Sequence, residues 1–310
     1  MIDDFADELV VNSIHVRAPT QSILLCGGQM TAIGENIPTS IRDAFYKITN
    51  FEPLKGASPL RAEDVEALHI KEAKYSDLLK FECDIAQLSK LVLLFSESFG
   101  SAAELGAFAM HSEIASKMLV VIREKHYNQT SFIKVGILES LKSEYGRESY
   151  YILDDNHVGI FGDNLSHINR DELAATLSKP VSDKLAAIDS FTTFDPKLRG
   201  HIVKLIVGFI QEFGALTFEE IITLLIAVDV DKPLAEIEQL CLCTKVMEWV
   251  DLVGKGAKDF VVAKVSEPAA EFKIVGKKLE KNPIRRRANF LENWKANDND
   301  RFRAIIASRA

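Results

Sequence analysis

The stretch "KLVLLFSESFGSAAELGAF", Lys90 to Phe108, decides how the fold is read. Five apolar residues, Leu91 to Phe95, run into the polar turn Ser96-Glu97-Ser98-Phe99-Gly100, and a helical pattern begins at Ser101. This order predicts a buried strand, a glycine turn and a helix. In open α/β sheets ligands bind in the crevice at the carboxyl ends of the strands, so the turn is the first place to look for chemistry. Ser101-Ala102-Ala103-Glu104 also has the spacing of a capping box, in which Ser and Glu satisfy each other's orphan backbone N–H groups. From spacing alone Glu104 therefore has two readings, a helix cap or a carboxylate that acts on a bond.

Working outward, the N-terminal half alternates between strand and helix patterns. "SILLCGG" (Ser22 to Gly28) reads as a strand ending in paired glycines, "PTSIRDAFYKIT" as a helix, and "PLRAEDV" follows a possible second strand. "DLLKFECDIAQLS" is an amphipathic helix, "KMLVVIRE" (Lys117 to Glu124) a further buried strand, and "ILESLKSEY" helical, while "SYYILDD" and "VGIFG" are candidate edge strands. Such alternation predicts βαβ units and a mostly parallel, Rossmann-like sheet.

From about Pro180 the texture changes. "DPKLRGHIVKLIVGFIQEFG" is one helix closed by Gly214, "TFEEIITLLIAV" a second opened by a Thr217–Glu220 capping box, and "KPLAEIEQLCLCTKV" a third with Pro233 at its start. "MEWVDLV", the turn "GKGAK" and "DFVVAKV" follow as a β-hairpin. Three helices and a two-stranded wing are the order of a winged helix-turn-helix, a module that serves protein contacts as well as DNA binding. The expected division is an α/β domain over 1–180, a winged-helix domain over 181–270 and a basic helical tail over 271–310.

The charge is unevenly distributed. The chain of 310 residues has a net charge of −8, with −14 in the first 270 residues and +6 in the last 40. An acidic body with a basic end suggests that the end meets something anionic, and Arg285-Arg286-Arg287 sharpens this because adjacent guanidiniums repel unless an anion holds them. Lys255 and Lys258 at the wing turn join these arginines as candidate contacts to a nucleic-acid-bearing partner. A merely solvated terminus is the alternative. No apolar run reaches the length of a membrane span and the first residues are acidic, so a cytoplasmic protein without a membrane partner is expected. Cys26, Cys83, Cys241 and Cys243 lack metal-site spacing and read as reduced core residues. The seven histidines form no metal motif, and P-loop, G-x-G-x-x-G and G-x-S-x-G signatures are missing, so neither a metal nor a cofactor is expected.

What remains is carboxylate chemistry beside glycine turns. Ser98-Phe99-Gly100-Ser101-Ala102-Ala103-Glu104-Leu105-Gly106 resembles the D-x-G-T-x-x-E-x-G motif of nucleoside 2-deoxyribosyltransferases, in which the Glu is the nucleophile that takes the sugar from its base. The larger combination of "ILLCGG", the stretch from Leu78 to Phe108, a winged helix and a basic tail resembles retron effector proteins. In these a deoxyribosyltransferase-like domain is fused to a winged-helix module and encoded with a reverse transcriptase and its multicopy single-stranded DNA. The resemblance spans almost the whole chain. It implies a toxic N-glycosidase of phage defence, with Glu104 as nucleophile, held in a larger oligomeric complex by the reverse transcriptase and its DNA/RNA.

A carboxylate suits that chemistry, since cleavage of an N-glycosidic bond passes through an oxocarbenium-like state that the carboxylate stabilises and then traps. Ser98 stands where the transferases carry an Asp that handles the leaving base, and Glu97 beside it is expected to point to the opposite side of an extended strand. The departure favours a leaving group that needs little protonation, such as the already cationic nicotinamide of NAD, over a free deoxynucleoside. Gly27 and Gly28 are read as letting backbone N–H groups approach a phosphate or ribose, Gly100 and Ser101 as parts of the same substrate-binding turn, Arg42 as a phosphate partner and Glu63 as a ribose-hydroxyl acceptor. Tyr75 and Glu82 flank the amphipathic helix and are weaker candidates for closing over a ligand. Two other functions stay open: a non-enzymatic nucleotide-sensing transcription regulator, which needs the pocket but no nucleophile, and a metabolic nucleoside deoxyribosyltransferase.

Overall fold

The computed structural model describes residues 1–32, 35–48, 51–72, 74–188, 191–256 and 258–308. Five strands form one parallel sheet: β1 Ser22–Cys26, β2 Ser58–Arg61, β3 Leu91–Phe95, β4 Met118–Arg123 and β5 Tyr150–Leu153. Their spatial order is β2-β1-β3-β4-β5. Every residue of β1, β3 and β4 is buried, which explains why these strands are uninterrupted apolar runs: helices cover both faces of a parallel sheet. On one face Ile23, Leu25, Leu93 and Val121 pack against α1 (Ile41–Tyr46). The second helix, α2 (Phe99–Ala109), follows β3, and α3 (Arg170–Ala186) inserts Leu173, Leu177 and Val181 into the same cluster as α1.

The expected edge strand at "SYYILDD" is present as β5, whereas "VGIFG" forms only a turn closed by a bridge between Phe161 and Asn164. The helix α3 has no counterpart among the expected elements. Its interior Pro180 reads as a breaker in sequence, yet the helix runs through it because Leu173, Leu177 and Val181 recur every four residues on one buried stripe.

The chain divides into two compact units, and their limits differ from the expected ones. A sheet unit comprises Gln21–Glu66 and Ser89–Asp189, and a helical unit comprises Met1–Thr20, Ala67–Leu88 and Ser190–Ala310. The expected boundary after residue 180 falls inside α3. Residues 1–20 and 67–88, expected in the first domain, belong to the helical unit.

In the helical unit the central helix is α4 (Arg199–Phe213), almost wholly buried and closed by Gly214 at φ 83°. Then come β6 (Ala215–Leu216), α5 (Phe218–Ile226) with the expected Thr217–Glu220 capping box, and α6 (Leu234–Val246) with Pro233 as its N-cap. Antiparallel β7 (Val250–Lys255) and β8 (Lys258–Ala263) complete a sheet of order β6-β8-β7; Ala257 of the expected turn lies outside the described residues. The last helices, α7 (Pro283–Asn297) and α8 (Asn299–Ser308), bury Phe290, Trp294, Ala304 and Ile305. Segment 271–308 is thus packed through its helices rather than a solvated terminus.

Candidate active site

The sheet order makes the gap between β1 and β3 a topological switch point, because the connection after β1 leads toward one edge of the sheet and the connection after β3 toward the other. Doubly wound folds bind ligands at such a point. Gly27 and Gly28 follow β1 there, Ser96 to Ser98 follow β3, and α1 and α2 begin there.

Two glycines are required by close packing. A Cβ on Gly27 would lie 2.8 Å from Cβ of Arg42 and 3.0 Å from Oε1 of Glu97, and one on Gly28 would lie 2.7 Å from Cβ of Ser40. The first turn of α1 and the Glu97 side chain fill the space that side chains at 27 and 28 would take. Glu97 does not point away, as strand alternation suggested. Its Oε1 accepts from Gly28 N at 3.0 Å and Arg42 N at 3.0 Å, and its Oε2 from Ile41 N at 2.7 Å. The chain has left the strand at Phe95, so the alternation rule no longer holds at position 97.

Arg42 and Glu63, expected to serve a phosphate and a ribose, instead bind each other. The buried Arg42 guanidinium donates from Nη1 to Glu63 Oε2 at 3.0 Å and to Leu25 O at 3.3 Å, and from Nη2 to Glu63 Oε1 and Gly28 O. Glu63 keeps 45 % of its side chain exposed, so the pair is open to solvent on the carboxylate side only.

The cap of α2 lies elsewhere than expected. Ser98 is the N-cap, and its partner in the capping box is Ser101: Ser101 N donates to Ser98 Oγ at 3.1 Å and Ser98 N to Ser101 Oγ at 2.9 Å. Glu97 N also donates to Ser101 Oγ, at 3.1 Å, and Ser98 Oγ donates to Gly27 O at 3.4 Å. The box predicted between Ser101 and Glu104 is therefore absent, because the helix starts three residues earlier, at Phe99 rather than after Ser101. Glu104 is its sixth residue, half-buried in the second turn, and has no part in the capping box. It stands three residues after Ser101 and thus on the same side of the helix. Gly100 meets nothing but Ser98 Oγ at 3.8 Å, so its role in the turn is not one of steric necessity.

Arg123, buried at the end of β4, is a site-level feature that sequence reasoning missed. It pairs with Asp155 through Nε at 2.8 Å and Nη2 at 2.7 Å and reaches Asp163 at 3.1 Å. Burial opposes its charge, but these carboxylates hold the guanidinium above its ordinary value. The available signal was a charged residue ending an apolar strand. A cavity of about 380 Å³ lies beside β1 and β2, lined by Ile23, Leu25, Phe45, Phe51 and Leu54. None of the candidate site residues lines it, so shape and chemistry part here, and the carboxylates at the switch point are the better guide.

Residues 38–252 match the family model described as STM3845 retron effector protein. The chain belongs to this retron effector family. Over 119 residues it is 28 % identical to an Escherichia coli protein named "Retron Ec73 putative ribosyltransferase/DNA-binding protein", a match covering 38 % of this chain and 36 % of that relative. The matched stretch spans about a third of the relative's length.

In this retron effector the remaining candidates lie in the helical unit. Lys255 and Lys258 are paired across the β7–β8 hairpin, Lys258 within 3.9 Å of Asp298. Of the three tail arginines only Arg285 is exposed. Arg286, 1 % exposed, donates to the fully buried Glu212 at 2.6 Å, and Arg287 donates to the other oxygen of Glu212 at 3.0 Å. The anion that holds these guanidiniums together is thus internal, which corrects the reading of Arg286 as a surface contact. Tyr75 does not flank a ligand either: it is buried in the helical unit, with its hydroxyl donating to Asp84 at 2.7 Å. Glu82 is half-buried on the same helix, Leu78–Leu88. All four cysteines are buried and outside any disulfide, and burial pushes the Cys83 thiol up to about 11 and Cys241 up to about 12. Among the described residues no cluster of His, Cys, Asp and Glu is arranged to hold a metal, and no helix is long and apolar enough to cross a membrane.

Proposed function

We propose that this retron effector is a toxic N-glycosidase of anti-phage defence, with Glu104 as its nucleophile and NAD or a related nucleotide as its substrate. The observation that carries the reading is the start of α2 at the β1/β3 switch point, with Glu104 one turn beyond Ser101 and outside the capping box. That is the position of the Glu in the transferase motif that this turn resembles. The name of the Escherichia coli relative, which mentions ribosyl transfer, is in keeping with it.

In the reaction an oxygen of Glu104 bonds to the anomeric carbon as the carbon–nitrogen bond breaks. The electron pair goes to the ring nitrogen, so cationic nicotinamide leaves neutral and needs no proton from Ser98. Water then hydrolyses the glycosyl ester, returning the carboxylate and releasing a proton. The partners in this reading are the retron reverse transcriptase and its multicopy single-stranded DNA/RNA, which restrain the effector in a cytoplasmic, oligomeric complex.

A winged-helix module would provide the contact. The order α4, β6, α5, α6, β7, β8 supports it, with β6 completing the sheet. The third helix, α6, is largely covered within the same unit: Glu238 pairs with Lys74, Lys245 with Glu72, and Glu236 with Arg199. Contacts to phosphates therefore fall to Lys255, Lys258 and Arg285 rather than to a helix laid in a groove.

The test is base release by the unrestrained protein. Nicotinamide should leave NAD faster than any base leaves a free deoxynucleoside, and Glu104→Gln should lower the rate by at least about 10³-fold while preserving the circular dichroism spectrum. A folded Glu104→Gln protein with wild-type turnover discards the nucleophile. Release from deoxynucleosides alone points to deoxyribosyltransferase chemistry, and nucleotide binding without turnover in the wild type to a sensor.

A further inference from the structure

Backbone N–H groups at the end of the first strand and the start of the next helix form the place where doubly wound folds seat a phosphate. In this chain the seat has an occupant. Glu97 takes Gly28 N, Ile41 N and Arg42 N with its two carboxylate oxygens. A Cβ on Gly28 would come within 3.2 Å of the Glu97 carboxyl carbon, so the glycines make room for this side chain rather than for a ligand. The terminal nitrogens of Arg42, whose own backbone N–H is one of the three, are engaged by Glu63, Leu25 O and Gly28 O. A substrate phosphate approaching the β1 loop would meet a carboxylate, not donors.

We propose that Glu97 is a specificity-determining residue: it is the chain's own anion in the phosphate seat, so the site takes its substrate through sugar and base and keeps phosphate off the β1 loop. The proposal refines the N-glycosidase reading and rests on it for the identity of the substrate. A pyrophosphate-bearing substrate must then carry its phosphates away from Gly27 and Gly28, and nicotinamide riboside, which has none, should be cleaved with a kcat/KM close to that for NAD.

The test separates the two claims by measuring anion binding without turnover. Full-length protein carrying Glu104→Gln is titrated with inorganic pyrophosphate, alone and with Glu97→Gln or Glu97→Ala added, by calorimetry and by the Gly28 amide resonance. With Glu97 present, pyrophosphate should leave the Gly28 amide unmoved. Either added substitution should raise pyrophosphate affinity by about tenfold or more, the scale of one charge-assisted hydrogen bond. A side chain that only supported the fold would lose stability on replacement and gain no affinity for pyrophosphate. A saturable Gly28 shift in the protein that retains Glu97 overturns the proposal, whatever the variants do, as does unchanged affinity in folded Glu97 variants. These outcomes are independent of base release, which judges the glycosidase reading alone.

Discussion

The carboxylates that join elements of the helical unit and the carboxylate at the switch point of the sheet unit are held in different ways. In the helical unit the partner is a guanidinium from far along the chain: Glu212 holds Arg286 and Arg287, Asp84 holds Arg199 at 2.8 Å, and Glu220 holds Arg301 at 2.6 Å. Each pair ties one helix to another element, and in each at least one of the two charges is buried. At the switch point of the sheet unit, the Glu97 carboxylate accepts from three backbone N–H groups. The sheet unit also buries Lys184, 1 % exposed on α3, with Glu148 as the favourable charge that acts on it. Paired side chains mark charges that hold the fold together, whereas a carboxylate cradled by backbone at the sheet's carboxyl end marks charge placed for a site. The difference warns against reading function from charge density: the most basic stretch of the sequence supplies internal counter-ions.

The strongest way to break this comparison is to remove a counter-ion. Arg286→Ala leaves the buried Glu212 with only the half-buried Arg287 and should cost about 3 kcal/mol, against less than about 0.5 kcal/mol for exposed Arg285→Ala. Both tryptophans, Trp249 and Trp294, lie in the helical unit, so urea unfolding followed by their fluorescence reads that unit. Equal losses from the two substitutions would mean that the Glu212 cluster does not anchor the tail.

Lys184 sharpens the other side. Burial lowers its ammonium to about 8, below the ordinary 10.5. Below pH 8 both folded and unfolded chains hold the proton, and the full cost of burying charge is felt. Between about pH 8 and 10.5 only the unfolded chain holds it, so this lysine makes stability rise with pH, by roughly 3 kcal/mol at most. Lys184→Met should stabilise the protein at pH 7, and its advantage should shrink as pH approaches 10. The difference between wild-type and variant unfolding across this range is the measurement, and a pH-independent difference would put the lysine's charge in solvent.

The smallest effect concerns the β7–β8 hairpin. Replacing Lys255 and Lys258 together with Ala should reduce the salt slope of nucleic-acid binding by about two units without altering sequence preference or stability. A salt series with single-stranded DNA tests this, and an unchanged slope removes the hairpin from the proposed interface.

Much of the architecture follows from short-range pattern. The apolar runs at Leu91–Phe95 and Met118–Arg123, the hairpin β7–β8 and the Thr217 box are legible because a few neighbouring residues suffice to favour a strand, a turn or a cap. The turn that carries Glu104 is legible for the same reason. The start of its helix is not, because Ser98 and Ser101 both suit an N-cap and the choice depends on Ser98 reaching Gly27 O across the neighbouring strand. Arg42 and Glu63 were recognised as charged groups of interest, but that they bind each other depends on β1 and β2 lying side by side. The three arginines at 285–287 are equivalent in sequence, and only the packing of α7 on α4 sends one to solvent and two to Glu212. Composition and periodicity determine which elements form, because those are energies between near neighbours. What each charge does was decided by tertiary structure, because its partner lies tens of residues away in the chain and only the packed fold brings the two within bonding distance.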